Sequence, residues 1–312
     1  MTSDKALTGV DIWHGESLFS RLIRTVILPL MGSKRMLRDI DVHARHLQKT
    51  RKAGEARPPR RITSNYRITT RVYAGANALF VEPKCGAAQR TIVYIHGGAY
   101  VSNMLSYQWN LVEGLASRNA ARVVVPHYPL APEHDWQPGF AMMQELYAAL
   151  LAEHGAESIV LCGDSAGGGF TLALAQMLRD QQAPLPGKLV LYSPWLDLRE
   201  HNRDQDAYDA ADPMLARPVL VWSARNWAGR TPLDDPRISP VLGDITGLPP
   251  ILVFSGTADL LHPDSLALQA KAQRLHCPLR LIIGDRMTHA WSVLPTREAR
   301  RLHDETASFL QQ

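Results

Sequence analysis

The sequence predicts an α/β fold in which helices flank a mostly parallel sheet. Six apolar, β-branched segments follow residue 70, and their hydrophobic residues are continuous rather than alternating, as is typical of strands buried on both faces of a parallel sheet. Segments with apolar residues at three- to four-residue spacing separate them, and this alternation predicts a wound α/β sheet. With 312 residues, 46% of them hydrophobic, the chain can form one large domain with insertions.

The core of this fold is predicted to run from residue 66 to 198 and from 238 to 312. An alternating segment at 66–83, with a Gly-Ala-Asn turn, predicts a hairpin at one edge of the sheet. The six strands are predicted at 91–98, 121–128, 158–165, 188–195, 250–257 and 279–285. The helices are predicted at 109–119, at 139–155, directly after residue 165, at 264–275 and at 296–311.

Two segments outside this alternation are predicted to form a helical cap over the carboxyl edge of the sheet, where α/β proteins bind ligands. The first, 1–65, has a helical pattern and is basic. The second, 199–237, is a polar loop followed by an apolar helix that carries Trp222 and Trp227. Within the first, the apolar stretch 22–32 is too short to span a bilayer. It either lies on a membrane surface or packs on the body of the protein, and we favour packing.

Composition and charge argue against several classes of protein. The formal net charge is +4, and the basic residues of the first 72 positions accompany no nucleic-acid-binding motif, so we interpret them as a solvated surface. The three cysteines, Cys85, Cys162 and Cys277, are widely spaced, which indicates neither a metal site nor a disulfide framework. The first residues lack the layout of a signal peptide. These features predict a cytoplasmic protein.

The segment Gly163-Asp164-Ser165-Ala166-Gly167 has the form G-x-S-x-G and lies where a predicted strand meets a predicted helix. A serine at the tip of such a turn has a strained backbone that only small neighbours permit, and its hydroxyl projects above the sheet. The helix that follows directs its N-terminus towards an incoming negative charge. We therefore predict that Ser165 is a nucleophile.

A serine hydroxyl needs a general base, which an acid must orient. His289 follows the last strand by a few residues, so its loop should reach the carboxyl edge of the sheet beside Ser165. The loop after the preceding strand offers Asp259 and Asp264, and we favour Asp259 because it lies closer to the strand end. The chain order of serine, aspartate and histidine is the one expected for a hydrolase with this strand–turn–helix motif.

The negative oxygen that forms during acyl transfer needs backbone N–H donors. One donor is predicted at Ala166, directly after the serine. The others are predicted in the loop after the first long strand, at Gly97, Gly98 and Ala99, where glycines allow close approach of the backbone. We interpret His96, at the start of this loop, as an anchoring residue rather than a base.

These motifs resemble the hormone-sensitive-lipase branch of the α/β-hydrolase esterases. HGGAY (96–100), YPLAPEH (128–134), GDSAGG (163–168), SPWLDL (193–198), DPML (212–215) and THAW (288–291) follow in the order of that family, over about residues 90–295. The resemblance implies an α/β-hydrolase fold, a Ser165, Asp259 and His289 triad, and an oxyanion hole made of the His-Gly-Gly loop with Ala166. It also implies a cofactor-free enzyme for esters of short to medium acyl chains.

The sequence departs from the family at three places. Ala99 replaces the third loop glycine, which keeps the backbone N–H but disfavours a positive φ. Ala290 and Trp291 replace the Gly-Phe that usually follows the catalytic histidine. His127 and Pro129 replace an aspartate and an arginine near the same edge of the sheet.

Three functions remain open at this point. The first is a carboxylesterase, the second an amide or N-acetyl hydrolase on the same triad, and the third a binding protein without activity, which typically would lack a triad member. Residues predicted to line the acyl pocket are Tyr100, Met214 and Leu261, with Trp136, Trp195, Trp222 and Trp227. The expected partner is a small acyl ester rather than nucleic acid, without stable membrane insertion, and the family resemblance leaves a homodimer through the last strand or helix open.

Overall fold

One sheet of nine strands forms the centre of the computed structural model, which describes residues 7–199 and 205–312. The strands are β1 (Gly9–Trp13), β2 (Tyr66–Tyr73), β3 (Ala76–Pro83), β4 (Arg90–Ile95), β5 (Ala121–Pro126), β6 (Ile159–Asp164), β7 (Lys188–Tyr192), β8 (Ile251–Ala258) and β9 (Leu279–Thr288). Their order is β1–β9–β8–β7–β6–β4–β5–β3–β2. Neighbours are parallel except in the pairs β2–β3 and β3–β5.

The six strands predicted from continuous apolar segments are present as β4 to β9. Every residue of β6 is buried, and its alternate side chains enter different cores. Val160 and Cys162 pack in the core that includes the last helix, whereas Leu161 packs in the larger core on the other face. A strand covered on both faces needs apolar residues at every position, which explains the continuous pattern.

The hairpin of β2 and β3 lies at one edge of the sheet, as predicted. Its turn is Ala74-Gly75 rather than the Gly-Ala-Asn segment. Both turn residues have positive φ, 44° and 81°. A two-residue hairpin turn needs this conformation for its twist to match that of the flanking strands. The predicted turn is therefore wrong by one position.

The other edge strand, β1, is a correction to the prediction that residues 1–65 form a helical segment. It pairs in parallel with β9, from Gly9 opposite Arg280 to Trp13 opposite Gly284. Its pattern was hard to recognise because only Trp13 of its five residues is buried. Because β1 occupies the free side of β9, that strand has no open edge through which a second copy could pair.

Helices flank both faces of the sheet, and five further helices lie in the N-terminal segment between β1 and β2. They are α1 (Leu18–Leu22), α2 (Leu28–Met31), α3 (Ser33–Arg38), α4 (Ile40–Lys52), α5 (Arg60–Asn65), α6 (Trp109–Asn119), α7 (Trp136–His154), α8 (Ala166–Asp180), α9 (Gln205–Ala211), α10 (Arg217–Ala228), α11 (His262–Leu275) and α12 (Arg297–Gln311). A π-helical turn, Ile23–Ile27, joins α1 to α2. Helix α7 begins three residues before the predicted start because Asp135 caps it by accepting a hydrogen bond from the Gln137 N–H.

The two segments predicted to form a cap contact each other. Helices α3 and α4 pack against α10, and the His43 ring lies 6.1 Å from that of Trp222. The Lys34 ammonium donates hydrogen bonds to the backbone carbonyls of Asp209 and Asp212. Residues 1–6 and 200–204, which belong to the two predicted segments, lie outside the described residues. Among the described helices, none is both long and apolar enough to cross a bilayer.

Candidate active site

Ser165 lies in the sharp turn between β6 and α8, with φ 55° and ψ −123°. This is a sparsely populated conformation for a residue with a side chain, and the surrounding backbone holds it. The Ser165 N–H donates to the Tyr192 carbonyl at 2.9 Å, and the Ser165 carbonyl accepts from the Trp195 N–H at 2.9 Å. Both partners belong to β7 or the loop that follows it, so the neighbouring strand fixes the strained turn. The residue is partly exposed at the carboxyl edge of the sheet.

Ser165, His289 and Asp259 form one hydrogen-bonded series. The His289 Nε2 lies 2.9 Å from Ser165 Oγ, and Nδ1 lies 3.0 and 3.1 Å from the two carboxylate oxygens of Asp259. Asp259 is fully buried and also accepts the Leu261 N–H at 2.9 Å. The alternative acid, Asp264, instead accepts the backbone N–H groups of Leu196 and Asp197. The structure thus brings together the three residues favoured from sequence.

The charge state of His289 is set by two opposing effects. Burial disfavours the imidazolium, but the charge and hydrogen bond of Asp259 favour it, and the carboxylates of Asp212 and Asp164 add to that effect. The net result is a raised pKa for His289. A histidine with this environment can take a proton from Ser165 and hold it beside Asp259.

The glycine loop after β4 faces the serine, but Gly97 does not serve as predicted. Its N–H donates to Asp164 Oδ1 at 2.8 Å and is therefore unavailable to a substrate oxygen. A Cβ on Gly97 would lie 2.9 Å from the Ser165 Cβ, which shows how closely the two segments approach. In the described part of the chain, the N–H groups of Gly98, Ala99 and Ala166 have no hydrogen-bond acceptor. These three N–H groups remain candidates for the oxyanion hole.

Ala99 adopts the left-handed conformation that its side chain disfavours, with φ 52°, and Tyr100 follows with φ 63°. Backbone hydrogen bonds hold the loop in this shape. The Val101 and Ser102 N–H groups donate to the Gly98 carbonyl at 3.0 and 2.9 Å, and the Ala131 N–H donates to the Tyr100 carbonyl at 3.0 Å. The loop therefore keeps the glycine-like conformation without the third glycine.

His96 anchors the start of this loop. Its Nδ1 lies 2.8 Å from the Gly97 carbonyl, and its ring stacks on Tyr128 at 4.7 Å. Burial lowers the pKa of His96 to about 4, so the ring is neutral near pH 7. Its position behind the loop, fully buried, agrees with an anchoring residue.

Asp164 connects the serine turn to the glycine loop, and the sequence did not reveal this role. Besides Gly97, it accepts hydrogen bonds from the Tyr94 hydroxyl at 2.6 Å and from Gln108 Nε2 at 3.0 and 3.1 Å. Burial raises the pKa of Asp164, and these donors oppose the rise. The only available signal was its place inside the G-x-S-x-G motif.

Asp212 is a second buried carboxylate that sequence analysis did not assign. Its Oδ1 accepts the Met214 and Leu215 N–H groups at 2.6 and 2.9 Å, and its Oδ2 accepts the Leu260 N–H at 2.8 Å. Leu260 directly follows Asp259, so Asp212 joins the segment between α9 and α10 to the turn that carries the acid. Burial raises the pKa of Asp212, and the nearby charge of Asp259 raises it further.

The pocket residues predicted from sequence are only partly placed where a ligand could touch them. Tyr100 is buried with its ring stacked on Trp227 at 4.3 Å, and Leu261 is buried in the larger core. Core packing covers both side chains in this structure, and their place in an acyl pocket stays a prediction. Met214 is partly exposed and remains a candidate. Trp222 lines a cleft of about 620 Å³ with residues of α4.

Comparison with known proteins identifies a group of hydrolases. A family model described as alpha/beta hydrolase fold matches residues 92–293. An acetyl-hydrolase from Streptomyces hygroscopicus is 34% identical over 230 residues, covering 71% of this chain and 75% of that protein. A triacylglycerol lipase from Mycobacterium tuberculosis is 32% identical over 224 residues, which are 71% of this chain but 46% of that protein. The crystal structure of an esterase from the bacterial hormone-sensitive lipase family has a TM-score of 0.81 and 25% identity, covering 96% of this chain and 99% of that chain.

Proposed function

The chain belongs to the alpha/beta hydrolase fold family, and from this premise we propose that it is a serine carboxylesterase for short- to medium-chain acyl esters. The observation that carries the proposal is the hydrogen-bonded series from Asp259 through His289 to a partly exposed Ser165. An acetyl-hydrolase, a lipase and an esterase among the related proteins support the same class of reaction.

The first half of the reaction acylates the enzyme. Ser165 Oγ attacks the ester carbonyl carbon while His289 Nε2 takes the hydroxyl proton, and the carbonyl electrons move to oxygen. Asp259 holds the imidazole at Nδ1 and stabilises its positive charge. The oxyanion accepts hydrogen bonds from the N–H groups of Ala99 and Ala166 and from that of Gly98, and losing one such donor raises the barrier by roughly 2.7–4 kcal/mol. The alkoxide then leaves with the proton from Nε2, and Ser165 remains acylated.

The second half of the reaction releases the acid. A water molecule gives a proton to His289 Nε2 and attacks the acyl carbon, which again forms an oxyanion in the same place. When this intermediate breaks down, the bond to Ser165 Oγ is cleaved and Oγ recovers the proton from the imidazolium. The proposed cycle uses side chains and backbone of this chain alone and requires no cofactor or metal.

The proposal also covers the cap, the cellular location and the partners of the protein. Within the two predicted cap segments, 1–65 and 199–237, helices α3, α4 and α10 form the cap over the site, because α3 and α4 contact α10 next to the segment that Asp212 joins to the acid. We place the protein in the cytoplasm, which free thiols at all three cysteines favour. Its partner is a small acyl ester, and nucleic acid is not a partner. If a homodimer forms, it uses a surface other than the edge of β9.

The acyl-chain preference tests this proposal. We expect kcat/KM for p-nitrophenyl esters to be highest between acetate and octanoate and to fall at laurate, because a serine hydrolase of this class has a pocket of ordinary size. The measurement is initial rates across the series under conditions in which every ester is dissolved. A protein that hydrolyses no ester in the series, or that prefers laurate, would contradict the proposed substrate class.

An amide or N-acetyl hydrolase is the second candidate, and the similarity to an acetyl-hydrolase favours it. The triad chemistry is the same, but His289 must protonate the leaving amine before the C–N bond breaks. Comparing p-nitrophenyl acetate with p-nitroacetanilide at equal concentration separates the two candidates. Faster turnover of the anilide would assign the enzyme to amides. The third alternative, a binding protein, is disfavoured because no member of the hydrogen-bonded series is missing.

Asp212→Asn is expected to lower kcat/KM by roughly ten- to a hundredfold, because an amide NH₂ facing the Leu260 N–H displaces the turn that carries Asp259. It should also move the acid limb of the pH profile to lower pH. His289 acts as a base only when neutral, so activity is lost as pH falls through its raised pKa, and Asp212 is one of the charges that raise it. The measurement is kcat/KM for p-nitrophenyl acetate from pH 5 to 9.

Asp206→Asn is the matched control, since this carboxylate lies on α9 and is exposed. We expect its profile to overlay that of the wild type. An Asp212→Asn variant with an unchanged rate and an unchanged acid limb would show that the carboxylate does not position the acid turn.

A further inference from the structure

The N-terminal helical segment, residues 18–31, presents an apolar face to solvent. Leu18, Leu22, Val26 and Leu30 are spaced by four residues, so they form one stripe along the helix, and all four are exposed. Phe19, Ile27 and Met31 extend the stripe on one side. The exposed fractions are highest at the ends, 85% for Leu18, 82% for Leu30 and 68% for Met31. The buried residues of this segment are Ser20, Ile23 and Leu28, which face the protein.

The protein holds this segment at a fixed place beside the candidate active site. Because β1 runs parallel to β9, the chain leaves β1 at the carboxyl edge of the sheet, where Ser165 and His289 lie. Ser17 and Ser20 then bond to Glu298 at the start of α12, with the Ser20 hydroxyl 2.5 Å from the carboxylate. The inner side of the helix therefore contacts the body, and its outer, apolar face points away from it.

The charges around the apolar face are predominantly positive. Residues 18–52 contain nine lysines and arginines but only two acidic residues. Six of the cations are exposed, namely Arg21, Arg35, Arg38, Arg45, Lys49 and Lys52. Among the described residues, Arg38 is the one of these six with a carboxylate within 4.0 Å, Asp209 at 3.9 Å. The segment thus combines an exposed apolar stripe with an excess of unpaired positive charge.

From these observations we propose that residues 18–31, together with the exposed cations of residues 18–52, bind the surface of an anionic phospholipid bilayer. An amphipathic helix with leucine and phenylalanine on one face and arginine nearby lies in the plane of the interface, with its apolar side among the acyl chains. The lysines and arginines pair with the anionic headgroups. Binding is peripheral and reversible, because the apolar stretch is too short to cross the membrane.

This binding mode would place the active-site edge of the sheet next to the bilayer. An acyl ester dissolved in the membrane would then have a short path to Ser165. The inference does not depend on the reaction that Ser165 performs, because its readout is binding to lipid. A failure of the proposed esterase activity and a failure of membrane binding are therefore distinguishable.

Vesicle flotation tests the proposal with two lipid compositions. We expect the wild type to float with vesicles of equal phosphatidylglycerol and phosphatidylcholine, and to partition at least about tenfold less onto pure phosphatidylcholine, since each cation near an anionic surface contributes roughly a fivefold gain. Raising the salt to 0.5 M should weaken binding to the anionic vesicles. No flotation with either composition would overturn the proposal, and equal flotation with both would overturn its electrostatic part.

Two variants identify the surface responsible. We expect Leu18→Ser/Leu30→Ser/Met31→Ser to reduce partitioning by about tenfold or more, because it removes the most exposed part of the stripe. Arg21→Gln/Arg35→Gln should reduce it by about tenfold on anionic vesicles only. Val72→Ser, which changes an exposed apolar residue on β2 at the far edge of the sheet, is the matched control and should bind as the wild type does.

Circular dichroism and thermal unfolding check that each variant is folded, which exposed positions should allow. Unreduced binding by both the serine and the glutamine variants would overturn the proposal. Sedimentation of the wild type without lipid tests the alternative that a second copy of the chain covers the stripe. A dimer that the triple serine variant abolishes, in a protein that does not float, would show that a second copy rather than a bilayer covers the stripe.

Discussion

Ser165→Ala is expected to reduce the kcat for p-nitrophenyl butyrate by about 10⁶-fold, the loss seen when the nucleophile of a serine triad is removed. The substitution deletes one oxygen and leaves His289, Asp259 and the N–H groups of the candidate oxyanion hole in place. Residual activity should exceed the uncatalysed rate by roughly 10³-fold, since binding and oxyanion stabilisation remain. The measurement is initial rate at saturating ester, with the concentration of folded protein determined independently.

Ser158→Ala is the matched control for this variant. Ser158 lies just before the opposite end of β6, where its hydroxyl donates to the carbonyls of His154 and Gly155. We expect full activity from it. A Ser165→Ala protein that keeps more than a few per cent of the wild-type rate would mean that another residue is the nucleophile.

Gly167→Ala is expected to destabilise the fold by roughly 4 kcal/mol or more, a loss that few single substitutions reach. A Cβ at this position would lie 2.0 Å from the Ile95 carbonyl oxygen and 2.8 Å from that of His96. These are backbone atoms at the end of β4, which is paired with β5 on one side and β6 on the other. Since the strand cannot move away, α8 must shift, and Ser165 at its start would shift with it.

Gly155→Ala separates this steric effect from backbone strain. Gly155 also resists substitution, with φ 74°, but a Cβ there would meet no atom within 4 Å. Only the backbone conformation, φ 74° and ψ 156°, disfavours alanine there, so the expected loss is about 1–3 kcal/mol. Urea unfolding of both variants, followed by tryptophan fluorescence, gives the comparison. Equal losses in the two variants would contradict the close packing of α8 against β4.

The sequence predicts best those elements in which burial requires an apolar side chain at every position. Strands β4 to β9 are buried on both faces, and their continuous apolar pattern follows directly from that burial. The strand β1 shows the opposite case. Only Trp13 of its residues is buried, and pairing with a strand more than 250 residues away in the chain decides its conformation. No local pattern could have predicted it.

The candidate site likewise contains residues that the sequence predicts and contacts that only the folded chain reveals. Ser165, His289 and Asp259 follow from motif, chain order and the common edge of parallel strands, and their side chains meet within 3.1 Å. The direction of the Gly97 N–H could not be predicted, because it depends on a buried Asp164 in another strand. Asp212 was within a family motif, but its bond to Leu260, 48 residues further along, exists only in the folded chain. Motifs therefore locate reacting groups better than the contacts that position them.

Covalent labelling of the wild-type protein tests the central claim most directly. Diethyl p-nitrophenyl phosphate carries the same leaving group as the test esters, and the phosphoryl group that it transfers to a serine nucleophile is hydrolysed slowly. We predict that inactivation proceeds with one diethylphosphoryl group per chain, and that tryptic mapping by mass spectrometry finds it on Ser165. Full inactivation with the group on another residue, or an active protein that remains unlabelled, would contradict the assignment of Ser165 as the nucleophile of an acyl-enzyme reaction.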